Sequence, residues 1–146
     1  NCTIQLFKKM PLITKQYKFC AAHKYWNPEW DEDKNISIFQ EDVRLHGHNY
    51  VLDITIGGPI NQGSGFIINI MDLNSIMEEH VISKLDHSQI DKDIDWFENK
   101  QPSTENIVVF IWERIVDRIP KPAHLHSIKL RETPTIFTEY YGPEGE

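Results

Sequence analysis

From Ile13 to Tyr25 the chain alternates, with Tyr17, Phe19, Ala21 and His23 on one side and Lys18, Cys20 and Ala22 on the other. A period of two is that of a strand with one buried face. Residues 26–45 lose the alternation and carry Pro28, two asparagines and an acidic cluster, which predicts a long excursion between strands. Excursions of that length without structure are uncommon and often functional. Alternation returns from His46 to Ile56, where His46, His48, Tyr50, Leu52, Ile54 and Ile56 share a face. Gly57, Gly58 and Pro59 then close this second strand in a turn region.

Spacings of three and four take over next. Leu73, Ile76, Met77, Val81 and Leu85 form the stripe of a helix that Asp72 can cap. A second helix starts after Pro102, with Ser103 or Thr104 as its cap. Its stripe is Ile107 or Val108, Ile111, Ile115 and Ile119, and Pro120 stops it. His126, Ile128, Leu130 and Glu132 then alternate with Ser127, Lys129 and Arg131 in a third strand, and beyond Pro134 a short fourth strand runs from Thr135 to Tyr141. The order ββααββ predicts an α+β fold, a four-stranded antiparallel sheet backed on one face by two helices. Such a sheet has two open edges, which other subunits can close.

A chain of 146 residues fits one domain, 1–146, with the patterned core at about 13–142. The net charge of -7 argues against a protein whose affinity comes from nucleic-acid phosphates, which needs a concentrated basic face. Cys2 and Cys20 are too few for a disulfide framework, which suits a reducing, cytoplasmic setting. No apolar run approaches the roughly 20 residues that span a bilayer, so no membrane partner is expected.

The chemistry concentrates at a few histidines and carboxylates. On a strand, His46 and His48 point the same way about 6.6 Å apart and can converge on one ion. His23 is the natural third ligand, since it ends the first strand on the face of Phe19 and Ala21. Three histidines with one open position make a catalytic rather than a structural metal site. Asp86 and His87 follow the first helix, where an Asp beside a His can shuttle a proton, although from the residues alone a dipole contact with a solvated Asp is the favoured reading of the pair. Glu132 lies mid-strand beside Ile128 and Leu130, where a carboxylate is costly unless paired. It suits either a salt bridge or recognition of a guanidine-like edge through two parallel N–H bonds. Glu105, in the first turn of the second helix, is favoured there by the helix dipole whatever the function.

Taken together, F-C-A-A-H at 19–23, H-G-H-N-Y at 46–50, L-D-H at 85–87, P-S-T-E-N at 102–106 and R-E-T at 131–133 resemble the 6-pyruvoyl-tetrahydropterin synthase family. The resemblance implies the T-fold, assembled as trimeric barrels that pair into homohexamers with sites at subunit interfaces. It implies Zn²⁺ on His23, His46 and His48, a proton-relay pair in Asp86 and His87, and a pterin ring anchored by Glu132 with help from Glu105 and Thr104.

One family element is missing. Members that make 6-pyruvoyl-tetrahydropterin or 6-carboxy-tetrahydropterin place a catalytic Cys a few residues before the H-G-H motif, where this chain runs from Ser37 to Leu45 without one. Cys20 faces away from His23 and reads as a buried, unreactive thiol. Glu41 or Asp42 occupies the window instead, and a carboxylate there serves as general base once desolvation lifts its pKa. A variant branch of the family carries Glu in place of the Cys, which favours Glu41. That branch is associated with cleaving the side chain of 7,8-dihydroneopterin triphosphate to give 6-hydroxymethyl-7,8-dihydropterin, a folate precursor. The alternatives are 6-pyruvoyl-tetrahydropterin synthase chemistry by triphosphate elimination, or a pterin- or zinc-binding module without turnover. Lys18, Lys24, Lys34, Arg44, Lys129 and Arg131 are all open candidates for the triphosphate.

Overall fold

The computed structural model describes residues 10–145, so Cys2 lies outside the described residues. Strand β1 (Leu12–His23) pairs antiparallel with β2 (His46–Gly57) in unbroken register from Leu12↔Gly57 to His23↔His46. Because the alternations of both strands are in phase, Phe19, Ala21 and His23 are buried on the same side as Tyr50, Leu52, Ile54 and Ile56.

The excursion between them is not irregular throughout. It holds helix α1 (Glu32–Phe39), capped by Asp31, whose side chain accepts from Lys34 N at 2.7 Å, and then a 3₁₀ turn, Gln40–Val43. The helix is tied down by Asn35, which is fully buried and is the only buried residue of α1. Its Oδ1 accepts from Asn27 N at 2.7 Å, and its Nδ2 donates to the carbonyls of Asn27, Trp30 and Asp31. A helix anchored by one polar side chain has no apolar stripe to betray it.

Helix α2 (Ile70–Met77) continues through a wide π turn at Glu78–Ile82 into Ser83–Leu85. Its cap is Asn69, whose side chain accepts from Met71 N at 2.9 Å, rather than Asp72, which falls inside the first turn. A stripe at every fourth residue drifts round a regular helix of 3.6 residues per turn. The π turn takes up that drift and keeps Leu73, Met77, Val81 and Leu85 all at 0 % exposure.

Strand β3 (Ser88–Gln89) follows and pairs parallel with Ala21 and Ala22. The sheet is therefore five-stranded and mixed, in contrast to the four antiparallel strands predicted. Beyond the short α3 (Ile90–Asp93) and the long α4 (Thr104–Ile115) come β4 (His124–Thr133) and β5 (Ile136–Tyr140), giving the order β3-β1-β2-β4-β5. The extra strand covers the backbone of the β1 edge: His87 N–H donates to the Cys20 carbonyl at 2.6 Å just ahead of it. Two residues are too few for alternation to show.

Ser103 caps α4, and Pro120 follows its closing 3₁₀ turn, Val116–Arg118. The helix is buried on more than one side. Phe110 packs on Trp96 and Phe97, while Trp112 meets Tyr140 of β5 edge-on. The other face of the sheet stays polar, with Thr14 bonded to Thr55, Gln16 to Asp53 and Cys20 to Asn49. Among the described residues no helix is long and apolar enough to cross a membrane.

Candidate metal centre and active site

The register of β1 and β2 makes the centre. His23 lies opposite His46, and His48 lies opposite Ala21, so the imidazoles project side by side on the helix-covered face. Gly47 between the two β2 histidines passes close to β1, where an added Cβ would stand 3.3 Å from the Ala21 carbonyl oxygen. Ring centroids are 4.6 Å apart for His23 and His46, 5.0 Å for His23 and His48, and 5.1 Å for His46 and His48. One ring nitrogen from each lies within 4.8 Å of the others.

Backbone carbonyls set the rings. His23 Nδ1–H donates to the Pro102 carbonyl at 2.8 Å, and His46 Nδ1–H to the Arg44 carbonyl at 2.7 Å, which leaves both Nε2 atoms free to point inward. Tyr50, fully buried, brings its hydroxyl to 3.4 Å from His23 Nδ1. The Nε2 atoms of His23 and His48 are buried with no hydrogen-bond partner, an arrangement too costly to keep without something to satisfy it. Burial, followed by the neighbouring imidazoles, pushes His23 down to about 4 against the opposing pull of the Pro102 carbonyl, and burial lowers His48 as well. Both are thus neutral near pH 7, the form that binds a metal. Nitrogens bound to one zinc at about 2.0–2.1 Å sit roughly 3.4 Å apart. Three imidazoles with nitrogens within 4.8 Å of one another are a donor set that fits Zn²⁺.

Two carboxylates border the trio. Asp42 Oδ1 is 3.7 Å from His46 Nε2, and Glu132 Oε1 is 3.4 Å from His48 Nε2. Glu132 continues the buried β4 face of Ile128 and Leu130, the face that packs beside Tyr50 and the histidines, and it sits at a bulge against β5 between the pairs Arg131↔Phe137 and Thr133↔Ile136. Burial and then the charge of Asp42 raise its pKa, with Glu105 adding to the effect and His46 opposing it. Thr104, nearly fully buried, donates to Glu105 at 2.8 Å and shares a 2.7 Å hydrogen bond with Thr138 of β5. Thr104 and Glu105 are thus joined by a hydrogen bond, and Glu105 lies near enough to Glu132 for its charge to be felt there.

Glu41 is exposed on the 3₁₀ turn, where its carbonyl accepts from Arg44 N at 3.0 Å. The structure faces Asp42, rather than Glu41, toward the histidines. Asp86 and His87 are not brought to the trio. His87 Nδ1 contacts Asp86 Oδ2 at 2.9 Å, and Cys20 N–H donates to Asp86 Oδ1 at 2.9 Å. That N–H, with lesser help from the imidazole, holds the Asp86 carboxyl below the usual range. His87 adopts φ 62°, a left-handed conformation that costs a non-glycine residue about 1 kcal/mol or more. With Cys20, Ala22, Asn49 and Ser88 it lines a cleft of about 400 Å³ that touches the centre only at His48. Cys20 itself is exposed, with Sγ 3.0 Å from Asn49 Oδ1, because the sheet face it occupies carries no helix; it is not the buried thiol expected.

The carbonyls of Pro102 and Arg44 leave no mark in a sequence, since any residue supplies one. Tyr50 was within reach, as it shares the strand face of His46 and His48.

A helix-backed sheet carrying three inward histidines defines a class of protein, one whose site could hold a single metal ion. Comparison with known families narrows it. Residues 12–143 match the family described as 6-pyruvoyl tetrahydropterin synthase, and the chain belongs to that family, whose enzymes are lyases. It is 35 % identical over 133 residues to a 6-pyruvoyl tetrahydrobiopterin synthase of Drosophila melanogaster, covering 90 % of this chain and 79 % of that one. It is 31 % identical over 120 residues to a dihydroneopterin monophosphate aldolase of Pyrococcus furiosus, covering 82 % and 88 %. The solved 6-pyruvoyl tetrahydropterin synthase of Caenorhabditis elegans superposes with a TM-score of 0.82 at 27 % identity over 91 % of this chain and 97 % of that one, so the fold is the family's T-fold.

Proposed function

We propose that this protein is a zinc-dependent lyase, a single pterin synthase-like domain that converts 7,8-dihydroneopterin triphosphate to 6-hydroxymethyl-7,8-dihydropterin, feeding folate synthesis. The observation that carries this reading is the turn before H-G-H. It offers the histidine site a carboxylate, Asp42 at 3.7 Å from His46, where the family's synthases use a thiol. The likeness to an archaeal aldolase supports carbon–carbon cleavage as the reaction type.

His23, His46 and His48 would hold the zinc, which when bound would supply Lewis-acid polarisation of the substrate's side-chain hydroxyls. A carboxylate of the Glu41–Asp42 pair takes the 2′-hydroxyl proton, and the C1′–C2′ bond breaks in a retro-aldol sense. The electron pair left on C1′ is taken up by the pterin ring, and a proton returned at C1′ completes the hydroxymethyl product. The carbonyl forms on the departing two-carbon fragment with its triphosphate. Glu132, backed by Glu105 and Thr104, binds the guanidine-like edge of the ring and so aims the side chain at the histidines. Asp86 and His87 handle the returning proton. Their separation from the trio within one chain favours a homo-oligomer, such as the hexamer of paired trimers, in which a neighbouring copy brings its pair to this centre.

Family position favours Glu41 as base, whereas proximity favours Asp42. In metal-replete protein, loss of the true base is expected to lower kcat by about 10²–10⁴-fold. Comparison of Glu41→Gln and Asp42→Asn decides between them, and full turnover in both would remove the carboxylate from the mechanism. The names of the animal relatives favour a second reading, triphosphate elimination to 6-pyruvoyl-tetrahydropterin. Identifying the product separates the two.

A further inference from the structure

The turn that precedes β2 acts twice on His46. Its Arg44 carbonyl accepts from Nδ1 at 2.7 Å and so directs Nε2 inward, and its Asp42 places Oδ1 3.7 Å from that same Nε2. The turn is also fastened to the strand of His23, because Tyr25 N–H, two residues past His23, donates to the Asp42 carbonyl at 2.9 Å. Asp42 is therefore held between both histidine-bearing strands.

Two ligand atoms on a tetrahedral zinc are roughly 3.4 Å apart, and Asp42 Oδ1 is already close to that separation from one ligand nitrogen. Glu132 is the competing carboxylate, at 3.4 Å from His48 Nε2. Its side chain is only 14 % exposed, whereas that of Asp42 is 62 % exposed. Asp42 can swing on and off a metal without disturbing the core.

We infer that Asp42 is the fourth ligand of the metal in the substrate-free protein, a ligand that gives way when the hydroxyls of a substrate arrive. This rests on the three-histidine zinc reading above and adds a resting state to it. The carboxylate closes the open position until substrate displaces it, and once displaced it stands beside the hydroxyl that must lose a proton.

The test uses the full chain, stripped of metal and reloaded with Co²⁺ or Zn²⁺. In Asp42→Cys a thiolate that reaches cobalt adds a near-ultraviolet charge-transfer band, expected to be absent from the unsubstituted protein and from Glu41→Cys. In Asp42→Asn the zinc affinity, measured by competition with a chromophoric chelator, is expected to fall about tenfold or more. Thermal melts of the metal-free forms should coincide, since the side chain is on an exposed turn. Cobalt bound by Asp42→Cys without the band, the band in Glu41→Cys alone, or unchanged zinc affinity in Asp42→Asn would each overturn the assignment. These readouts are independent of turnover. Product formation without them sinks the ligand while sparing the function, and the signatures without any pterin product sink the function while sparing the ligand.

Discussion

His23 is fully buried and still offers Nε2 to nothing in its own chain. Its titration is a stability statement. The unfolded imidazole titrates near 6.5 and the folded one at about 4, so between those values the unfolded state binds more protons and stability rises with pH. The stabilisation from keeping His23 neutral is complete above about pH 6.5 and lost as pH falls toward 4. At about 1.4 kcal/mol per unit this amounts to roughly 3 kcal/mol. Urea unfolding of the metal-free protein at stepped pH is expected to show that decline, and a flat profile over the window would contradict the burial argument. Glu132 makes a second residue-scale case. Glu132→Gln keeps the shape but gives up the charge that receives a guanidine-like edge, so KM for the pterin is expected to rise about ten- to hundredfold with little change in kcat. An unchanged KM would remove Glu132 from recognition.

At the scale of elements, strands β1, β2 and β4 were legible because each buries one face, and a one-sided strand writes its period into the sequence. Helix α1 was not, because the interaction that fixes it is a set of hydrogen bonds from Asn35 to the chain around it. Asn35→Ala leaves several of those backbone groups unpaired and is expected to cost about 2–4 kcal/mol. It should also weaken zinc binding, since α1 leads directly into the turn that carries Asp42 and Arg44. Denaturant melts and chelator competition check both effects, and loss of stability with zinc affinity intact would mean that the turn holds itself. The cap of α4 gives a milder test: Ser103→Ala is expected to cost about 1 kcal/mol and to loosen Thr104 and Glu105 just inside the helix.

Over the whole molecule, the histidine trio was legible because both strand faces could be read and the register then follows from pairing. The reach of Asp42 to His46 had a sequence signal in the spacing of four between them, although only the 3₁₀ turn turns that spacing into proximity. The separation of Asp86 and His87 from the trio had none, since they fall on the far side of β1 through a two-residue strand that no periodicity announces. On the proposed function, a carboxylate beside the histidine trio redirects a pterin synthase fold toward carbon–carbon cleavage. Incubating zinc-loaded protein with 7,8-dihydroneopterin triphosphate and identifying the pterin formed tests that claim most directly: 6-hydroxymethyl-7,8-dihydropterin is the expected product, and 6-pyruvoyl-tetrahydropterin alone, or unchanged substrate, would contradict it.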